Sequence, residues 1–177
     1  RHHFCRRYRS TDKWRSHHCA NFGKKPVRNT RSAGGIHMGN QPLTLKIPRH
    51  VYIGDDDASG LIYFASYFKY MADGDQDFFS KIGKPLTDGI NEGVSCPCVN
   101  AECSFIKPVR AGDDLEQVIR LEAGRRTSFQ MIHQFIKGDE VVAEGRLTRV
   151  WTELSIMKSI DLPSWVLSVA TPGPPRN

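Results

Sequence analysis

The stretch that decides the fold is GDDDASGLIYFASYFKYMADGDQDFFSKIG, residues 54–83. Residues 61–82 contain no proline, and large apolar side chains recur there every three or four positions, which predicts one long helix. The repeating positions are Phe64, Phe68, Met71, Phe78 and Ile82. Tyrosines beside them widen the apolar face, so other structure must cover the helix, and we expect a sheet to pack against it.

Three aspartates, Asp55, Asp56 and Asp57, stand directly before the predicted helix. The N–H groups at a helix N-terminus are unpaired and partly positive, so they can polarise a carbonyl oxygen beside a reactive carboxylate. Gly60 suits close approach of another group to the backbone. The alternative is that the aspartates only cap the helix and stay solvated. The residues alone leave both interpretations open.

The rest of the chain is predicted to form strands and turns. Residues 43–53 are predicted to be an edge strand, because Pro48 cannot donate a hydrogen bond to a neighbouring strand. Residues 83–85 end the helix, and a loop through Gly89 and Gly93 follows. Further extended segments are predicted at residues 95–109, 115–122, 128–137 and 141–153, the last two as a hairpin. A short helix around Pro163 is expected before a proline-rich end.

Composition indicates one globular domain and a separate basic tail. Of the 177 residues, 39% are hydrophobic, and no apolar run approaches the roughly 20 residues that span a bilayer. Residues 1–37 hold ten Lys or Arg against one acidic residue, whereas residues 38–177 hold fifteen against eighteen. We therefore expect a disordered tail at 1–37, a domain at 38–163 and a C-terminal tail at 164–177. No nucleic-acid binding or membrane insertion is expected of the domain.

Cysteine usage and the aspartates favour neither disulfides nor metals. Five cysteines, an odd number, fit a reducing compartment, so we expect a cytoplasmic protein, although the tail also has the composition of an organelle transit peptide. Cys96 and Cys98 resemble half of a zinc site, but no second pair follows. The aspartate loop matches the opening of a calcium loop, but Ser66 occupies the twelfth position, where glutamate is required.

The aspartate loop resembles a known family. An Asp-x-Asp loop, a small residue, glycine and an aromatic-rich helix, here residues 55–64, resemble the 4-hydroxybenzoyl-CoA thioesterase branch of the hotdog-fold acyl-CoA thioesterases. The resemblance covers about residues 45–153 and includes the Gly-Asp-Asp turn at 112–114. It implies an α+β hotdog fold, with an antiparallel sheet wrapped around the central helix. It also implies a homodimer with the active site at the interface, pairing further into a homotetramer.

The resemblance assigns roles to the loop and the helix start. Asp57 would be the catalytic carboxylate, acting as nucleophile or as general base on a water, and Asp55 a structural partner. The backbone N–H of Phe64, with that of Tyr63, would hold the oxyanion. Because three carboxylates lie together, we expect mutual repulsion to raise the pKa of at least one.

The resemblance also places residues that would bind the substrate. Arg125 and Arg126 would bind phosphates of coenzyme A, although Thr127 replaces a third basic residue of the family. We expect Cys96 and Cys98 to be apolar residues that line the acyl pocket, and we expect His133 to be structural. The complete predicted binding set is Gly60, Cys96, Cys98, Arg125, Arg126 and Ser128.

These observations predict an acyl-CoA thioesterase that converts an aryl-CoA, similar to 4-hydroxybenzoyl-CoA, to the free acid and coenzyme A. No cofactor is expected, because coenzyme A is part of the substrate. Two alternatives stay open: a thioesterase for short or medium aliphatic chains, and a non-catalytic acyl-CoA binding module. A hotdog hydratase is disfavoured, because neither the aspartate loop nor the helix contains a histidine.

Overall fold

The computed structural model describes residues 43–171. The predicted tail at 1–37 lies outside the described residues. The elements, in chain order, are β1 (Thr44–His50), α1 (Phe64–Lys81), α2 (Leu86–Asn91), β2 (Val94–Ser95), β3 (Cys98–Phe105), β4 (Asp114–Ala123), β5 (Ser128–Lys137), β6 (Glu140–Val150), β7 (Thr152–Glu153), β8 (Lys158–Ser159) and α3 (Ser164–Val169).

The main sheet has five strands in the order β1-β4-β5-β6-β3, and every neighbouring pair is antiparallel. β1 lies at one edge, as Pro48 predicted, and β3 lies at the other. β5 and β6 form the predicted hairpin around Gly138. Residues on one face of the central strands, among them Met131 and Leu147, are buried under α1. The predicted antiparallel sheet with a packed helix is confirmed.

α1 begins three residues later than predicted and ends where predicted. Residues 61–63 are not helical, because the N–H of Ile62 is bound by the carbonyl of Val109 in a neighbouring connection at 2.9 Å. At the other end Gly83 has φ +71°, and the N–H of Lys84 donates to the Phe79 carbonyl at 2.9 Å. This left-handed turn is a common way for a helix to end.

α1 lies close to β4 because Gly74 has no side chain at the contact. A Cβ atom there would stand 2.6 Å from Gln117 Nε2 and 2.7 Å from Ile119 Cδ1. Around this point the apolar core joins α1 to β4, β5 and β6. Its fully buried large side chains include Phe78, Phe79, Phe129, Phe135, Met71, Ile119, Leu121 and Met131.

Charged groups also lie inside this core. Asp75, near the middle of α1, is fully buried and receives Arg149 Nε and Nη2, each at 2.6 Å. His133 Nε2 lies 3.1 Å from the other oxygen of Asp75, although the two are not aligned as a hydrogen bond. His133 Nδ1 contacts Gln117 Nε2 at 3.0 Å, and Gln117 Oε1 accepts from Arg49 Nε at 2.7 Å. This network joins α1 to β1, β4, β5 and β6, in agreement with the structural role expected of His133.

Three parts of the chain differ from the sequence analysis. The loop predicted around Gly89 contains the short helix α2, and a second sheet, β2-β7-β8, was not predicted. The packed domain also extends past residue 163, where we expected a C-terminal tail to begin. The short helix expected around Pro163 does form there as α3, and its residues Val166 and Val169 are buried in the core.

Among residues 43–171, no helix is both long enough and apolar enough to cross a membrane.

Candidate active site

The loop that carries Asp57 is held together by its own backbone. The N–H of Asp57 donates to the Leu61 carbonyl at 2.9 Å, and the N–H of Gly60 donates to the Asp57 carbonyl, also at 2.9 Å. Gly60 has φ +72°, a conformation that residues with a Cβ rarely adopt. The sequence Asp-Ala-Ser-Gly therefore folds into a compact turn directly before α1.

The Asp57 carboxylate is exposed, and one of its oxygens is already bound. Oδ1 accepts from the Ser59 N–H at 2.8 Å and from Ser59 Oγ at 2.5 Å. The Ser59 hydroxyl, followed by its backbone N–H, lowers the pKa of Asp57 below its ordinary value of 3.8. The rise expected from mutual repulsion is therefore not found at Asp57, where burial is the only effect that raises the pKa and the donors outweigh it. Among the described residues Oδ2 accepts no hydrogen bond and forms no salt bridge, so it is left available for a substrate.

Asp55 bonds the aspartate loop to the neighbouring backbone and to α1, and its structural role stays a prediction. Its Oδ2 accepts from the Tyr52 N–H at 3.0 Å and from the Tyr70 hydroxyl at 2.7 Å. Its backbone carbonyl accepts from the Tyr63 N–H at 2.7 Å and from Ser66 Oγ at 3.0 Å. Burial, followed by the hydrogen bond to Asp55, raises the pKa of Tyr70, so this hydroxyl stays protonated and donates. Asp55 thereby joins the loop to the first two turns of α1.

Of the two predicted oxyanion donors, the structure contradicts Tyr63 and is compatible with Phe64. The Tyr63 N–H is already bound by Asp55, so it is not free to hold an oxyanion, contrary to the prediction. Phe64 is the first residue of α1, and among residues 43–171 its N–H has no acceptor. A free N–H at the positive end of a helix can stabilise a negative oxygen. Tyr63 and Phe64 are 44% and 54% exposed, so solvent and ligands reach this point.

The predicted substrate-binding residues other than Gly60 lie together, but elsewhere. Arg125 and Arg126 form the turn between β4 and β5, where Ser128 Oγ accepts from the Arg125 N–H at 3.2 Å. Arg126 makes an exposed ion pair with Asp161, whereas the Arg125 guanidinium has no carboxylate partner in the described part of the chain. Cys98 begins β3 beside this turn, since it pairs with Arg149 at the end of β6.

Cys96 is buried just before β3, and burial raises the pKa of its thiol to about 11. It is therefore a neutral thiol at physiological pH, and its lining role stays a prediction. A cavity of about 140 Å³ lies beside it, between the end of α1 and α2. Phe79, Trp151 and Trp165 contribute to the walls.

The two groups of predicted residues lie at opposite ends of one protomer. Asp57, Gly60 and Phe64 lie where β4 begins, because Val51 and Ile62 bond to residues 109–113 there. The arginine turn lies where β4 ends. The ten residues of β4 separate the two ends by about 30 Å, at roughly 3.3 Å per residue. A single protomer therefore does not assemble the complete predicted site.

Sequence reasoning missed two residues that contact the Asp57 loop. Ser59 binds the Asp57 carboxylate, and a serine two residues after an aspartate is a known turn signal that could have identified it. Arg110 Nη1 donates to the Gly60 carbonyl at 3.1 Å from a connection 50 residues away. No local sequence motif predicts a contact between residues so far apart in the chain. Among residues 43–171, no three His, Cys, Asp or Glu side chains are arranged to hold a metal ion.

Comparison with known proteins decides the family. Residues 51–169, about two thirds of the chain, match the family described as the thioesterase-like superfamily. The chain belongs to the thioesterase-like superfamily. This thioesterase-like protein is 26% identical over 126 residues to a 1,4-dihydroxy-2-naphthoyl-CoA hydrolase of Thermosynechococcus vestitus, covering 68% of the chain and 86% of that relative. The same enzyme of Prochlorococcus marinus subsp. pastoris is 27% identical over 125 residues, covering 67% and 83%.

Solved structures agree with this assignment. A gentisyl-coenzyme A thioesterase is 29% identical, with a TM-score of 0.64 over 69% of this chain and 98% of its own. The 4-hydroxybenzoyl-CoA thioesterase of Pseudomonas sp. strain CBS-3 is 20% identical, with a TM-score of 0.63 over 72% and 99%. The hotdog fold is thus confirmed, and the predicted family is confirmed at the level of the superfamily. Because its relatives are named as CoA-thioester hydrolases, the thioesterase-like protein is a thioester hydrolase, as predicted.

Proposed function

We propose that the protein hydrolyses hydroxylated aryl-CoA thioesters to the free acid and coenzyme A, with Asp57 as the catalytic carboxylate. One observation carries this proposal. An exposed carboxylate with a lowered pKa and one free oxygen lies in the turn directly before the unpaired N–H of Phe64. A nucleophile and an oxyanion donor are the two groups that acyl transfer from a thioester requires.

We propose direct attack by Asp57 rather than general-base catalysis. A base with a pKa far below 7 removes a proton from water inefficiently, whereas an ionised Asp57 can attack throughout the physiological range. Oδ2 of Asp57 bonds to the thioester carbon, and the carbonyl oxygen becomes an oxyanion held by the Phe64 N–H. The carbon–sulfur bond then breaks, coenzyme A leaves as the thiolate, and a mixed anhydride remains on Asp57. Water cleaves the anhydride, which releases the acid and restores the carboxylate.

The acyl group is proposed from relatives and from the aromatic surface at the site. The curated relatives compared above act on 1,4-dihydroxy-2-naphthoyl-CoA, and the 29% identical structure is a gentisyl-coenzyme A thioesterase. Tyr63 and Phe64 are exposed beside the free N–H, with ring centroids 4.6 Å apart, and they offer a surface on which an aromatic ring can pack. 4-Hydroxybenzoyl-CoA itself has weaker support, because the likeness to its thioesterase extends to the fold alone.

A homodimer would unite the two ends of the site. β3 is an edge strand, and its outer side has no partner strand in the described chain. If two copies pair through β3 in antiparallel fashion, the two-fold axis puts the end of one sheet that carries Asp57 beside the end of the other that carries Arg125. Each substrate would then meet Asp57 of one protomer and the arginine turn of its partner. Further pairing into a tetramer stays a prediction.

Mixed dimers test this arrangement. Asp57→Asn protomers and protomers with both Arg125→Ala and Arg126→Ala are each expected to have little activity alone. In a mixed dimer one site carries both defects and the other carries none. Random pairing at equal amounts makes half of the dimers mixed, so thiol release should recover to about a quarter of the wild-type rate. A mixture no faster than the two separate variants contradicts a shared site.

The substrate class is tested by thiol release from a panel of thioesters. The panel comprises gentisyl-CoA, 1,4-dihydroxy-2-naphthoyl-CoA, 4-hydroxybenzoyl-CoA, benzoyl-CoA and straight-chain acyl-CoAs of roughly 2 to 12 carbons. These acyl groups differ in size, so their relative rates distinguish a pocket for one aromatic ring from a pocket for two. We expect the highest kcat/KM for a hydroxylated aryl group. A higher value for an aliphatic chain supports the aliphatic alternative, and equilibrium binding without thiol release supports the binding module.

A further inference from the structure

Arg110 lies beside the Asp57 loop and contacts it directly. It belongs to the connection between β3 and β4, and its Nη1 donates to the Gly60 carbonyl at 3.1 Å. Gly60 closes the turn that begins at Asp57, because its own N–H is bound by the Asp57 carbonyl at 2.9 Å. The guanidinium therefore holds the loop from outside, three residues after the carboxylate that attacks.

The backbone that carries Arg110 is itself anchored. The Arg110 N–H donates to Asp113 Oδ2 at 2.9 Å, and Lys137 Nζ at the end of β5 reaches the same oxygen at 2.7 Å. Lys137, followed by the Arg110 N–H, lowers the pKa of Asp113, so this anchor stays ionised at neutral pH. The neighbouring carbonyl of Val109 accepts the Ile62 N–H. The loop thus rests on a fixed part of the sheet at two points.

Arg110 differs from the other cations at this end of the sheet. Lys107 and Lys137 are each paired with a carboxylate, on Glu140 and Asp113 respectively. Within residues 43–171 the Arg110 guanidinium forms no salt bridge, although its charge helps to lower the pKa of Asp113, and its hydrogen bond goes to the carbonyl of Gly60. Its hydrogen bond to the loop is therefore made by a guanidinium that no salt bridge holds.

We propose that Arg110 is a positioning residue of the active site, which fixes the Asp57 carboxylate relative to the Phe64 N–H by holding the Gly60 carbonyl. The inference rests on the proposed function and adds a residue that acts through the loop. A misplacement of about 1 Å between reacting groups can cost on the order of a hundredfold in rate. An exposed hydrogen bond that contributes little to global stability can therefore matter to kcat.

The test compares Arg110→Met, Arg110→Lys and the control Lys107→Met in the full chain. Lys107 is exposed on the same connection, but its ion pair is with Glu140 and not with the loop, so its loss should leave kcat unchanged. Arg110→Met is expected to lower kcat about tenfold or more with little change in KM. Arg110→Lys should recover part of the rate, since its ammonium can still donate. Melting temperatures of all three should stay near that of the wild type.

Amide hydrogen exchange supplies a readout that does not depend on turnover. Exchange of residues 57–62 should accelerate in Arg110→Met and stay unchanged in Lys107→Met. Unchanged exchange, or an unchanged kcat in an active enzyme, overturns the positioning role. A rise in KM alone that disappears at high salt also overturns it and makes Arg110 a contact for a substrate anion. Failure of the proposed function is separate: Asp57→Asn would then match the wild type whatever Arg110 does.

Discussion

Replacing Phe64 by proline removes the backbone N–H that is proposed to hold the oxyanion, and it leaves the other main-chain hydrogen bonds in place. Phe64 is the first residue of α1, a position where proline is tolerated because its missing N–H has no partner in the helix. The residue before a proline must be extended, and Tyr63 already has φ −64° and ψ 131°. The helix should therefore form as before, with the oxyanion donor absent.

The expected loss follows from the number of donors. Because the Tyr63 N–H is bound to Asp55, the Phe64 N–H is the donor proposed for the oxyanion at this helix start. Loss of one such donor typically costs about 2.7–4 kcal/mol, or on the order of 10²–10³ in kcat. Phe64→Ala is the matched control, because it removes the same ring but keeps the N–H.

The assay is thiol release from gentisyl-CoA by wild type, Phe64→Pro and Phe64→Ala, with circular dichroism and melting temperature to confirm the fold. We expect kcat to fall in the proline variant far below that of the alanine variant. Equal kcat in the two variants, with both folded, would refute the assignment of the Phe64 N–H as the oxyanion donor.

Three further predictions concern the loop and the core. Activity requires an ionised Asp57, whose pKa is lowered, so activity is present above that pKa and is lost as the pH falls through it. Ser59→Ala removes the hydroxyl that lowers this pKa, so the fall of kcat at acid pH should move to higher pH. An unchanged pH profile would contradict the assigned cause. Asp75→Asn leaves the partly buried Arg149 without its counter-charge and should lower the free energy of unfolding by about 3 kcal/mol in urea titrations, whereas a loss below about 1 kcal/mol would show that the pair matters little. Gly74→Ala should destabilise by about 1–3 kcal/mol despite the better helix propensity of alanine, because the contacted Gln117 amide is held by three hydrogen bonds; a gain in melting temperature would contradict that packing argument.

The elements of the fold could be predicted from sequence because each has a strong local signal. The spacing of Phe64, Met71 and Phe78 gave α1, and the alternation through residues 128–137 gave β5 with its observed bounds. Pro48 placed β1 at an edge. The start of α1 was predicted too early, because apolar side chains continue back to Leu61 while the backbone there is bound to another connection. α2 was missed, since a six-residue helix containing a glycine has little pattern of its own.

The site could be predicted only in part, for a different reason. The order of residues from Asp57 to Phe64 identifies a carboxylate before a helix, and family resemblance gave it a role. Sequence does not say which N–H groups are already bound, so Tyr63 was wrongly chosen as a donor. Sequence also does not predict contacts between residues far apart in the chain, such as that of Arg110 with the loop. The distance between the two ends of β4, which makes a second protomer necessary to the proposal, emerges only from the sheet register.

The central claim is that the Asp57 carboxylate performs thioester hydrolysis, and Asp57→Asn tests it most directly. Asparagine keeps the size of the side chain and an oxygen for the Ser59 donors, but it removes the nucleophile. The matched control is Asp56→Asn, since Asp56 uses one oxygen to accept from the Gly54 N–H at 3.0 Å, which an amide can also do. We predict a hundredfold or larger loss, on the order expected for a nucleophile, in thiol release from the preferred aryl-CoA for Asp57→Asn, and a rate near wild type for Asp56→Asn. Equal rates for Asp57→Asn and the wild type would contradict the account.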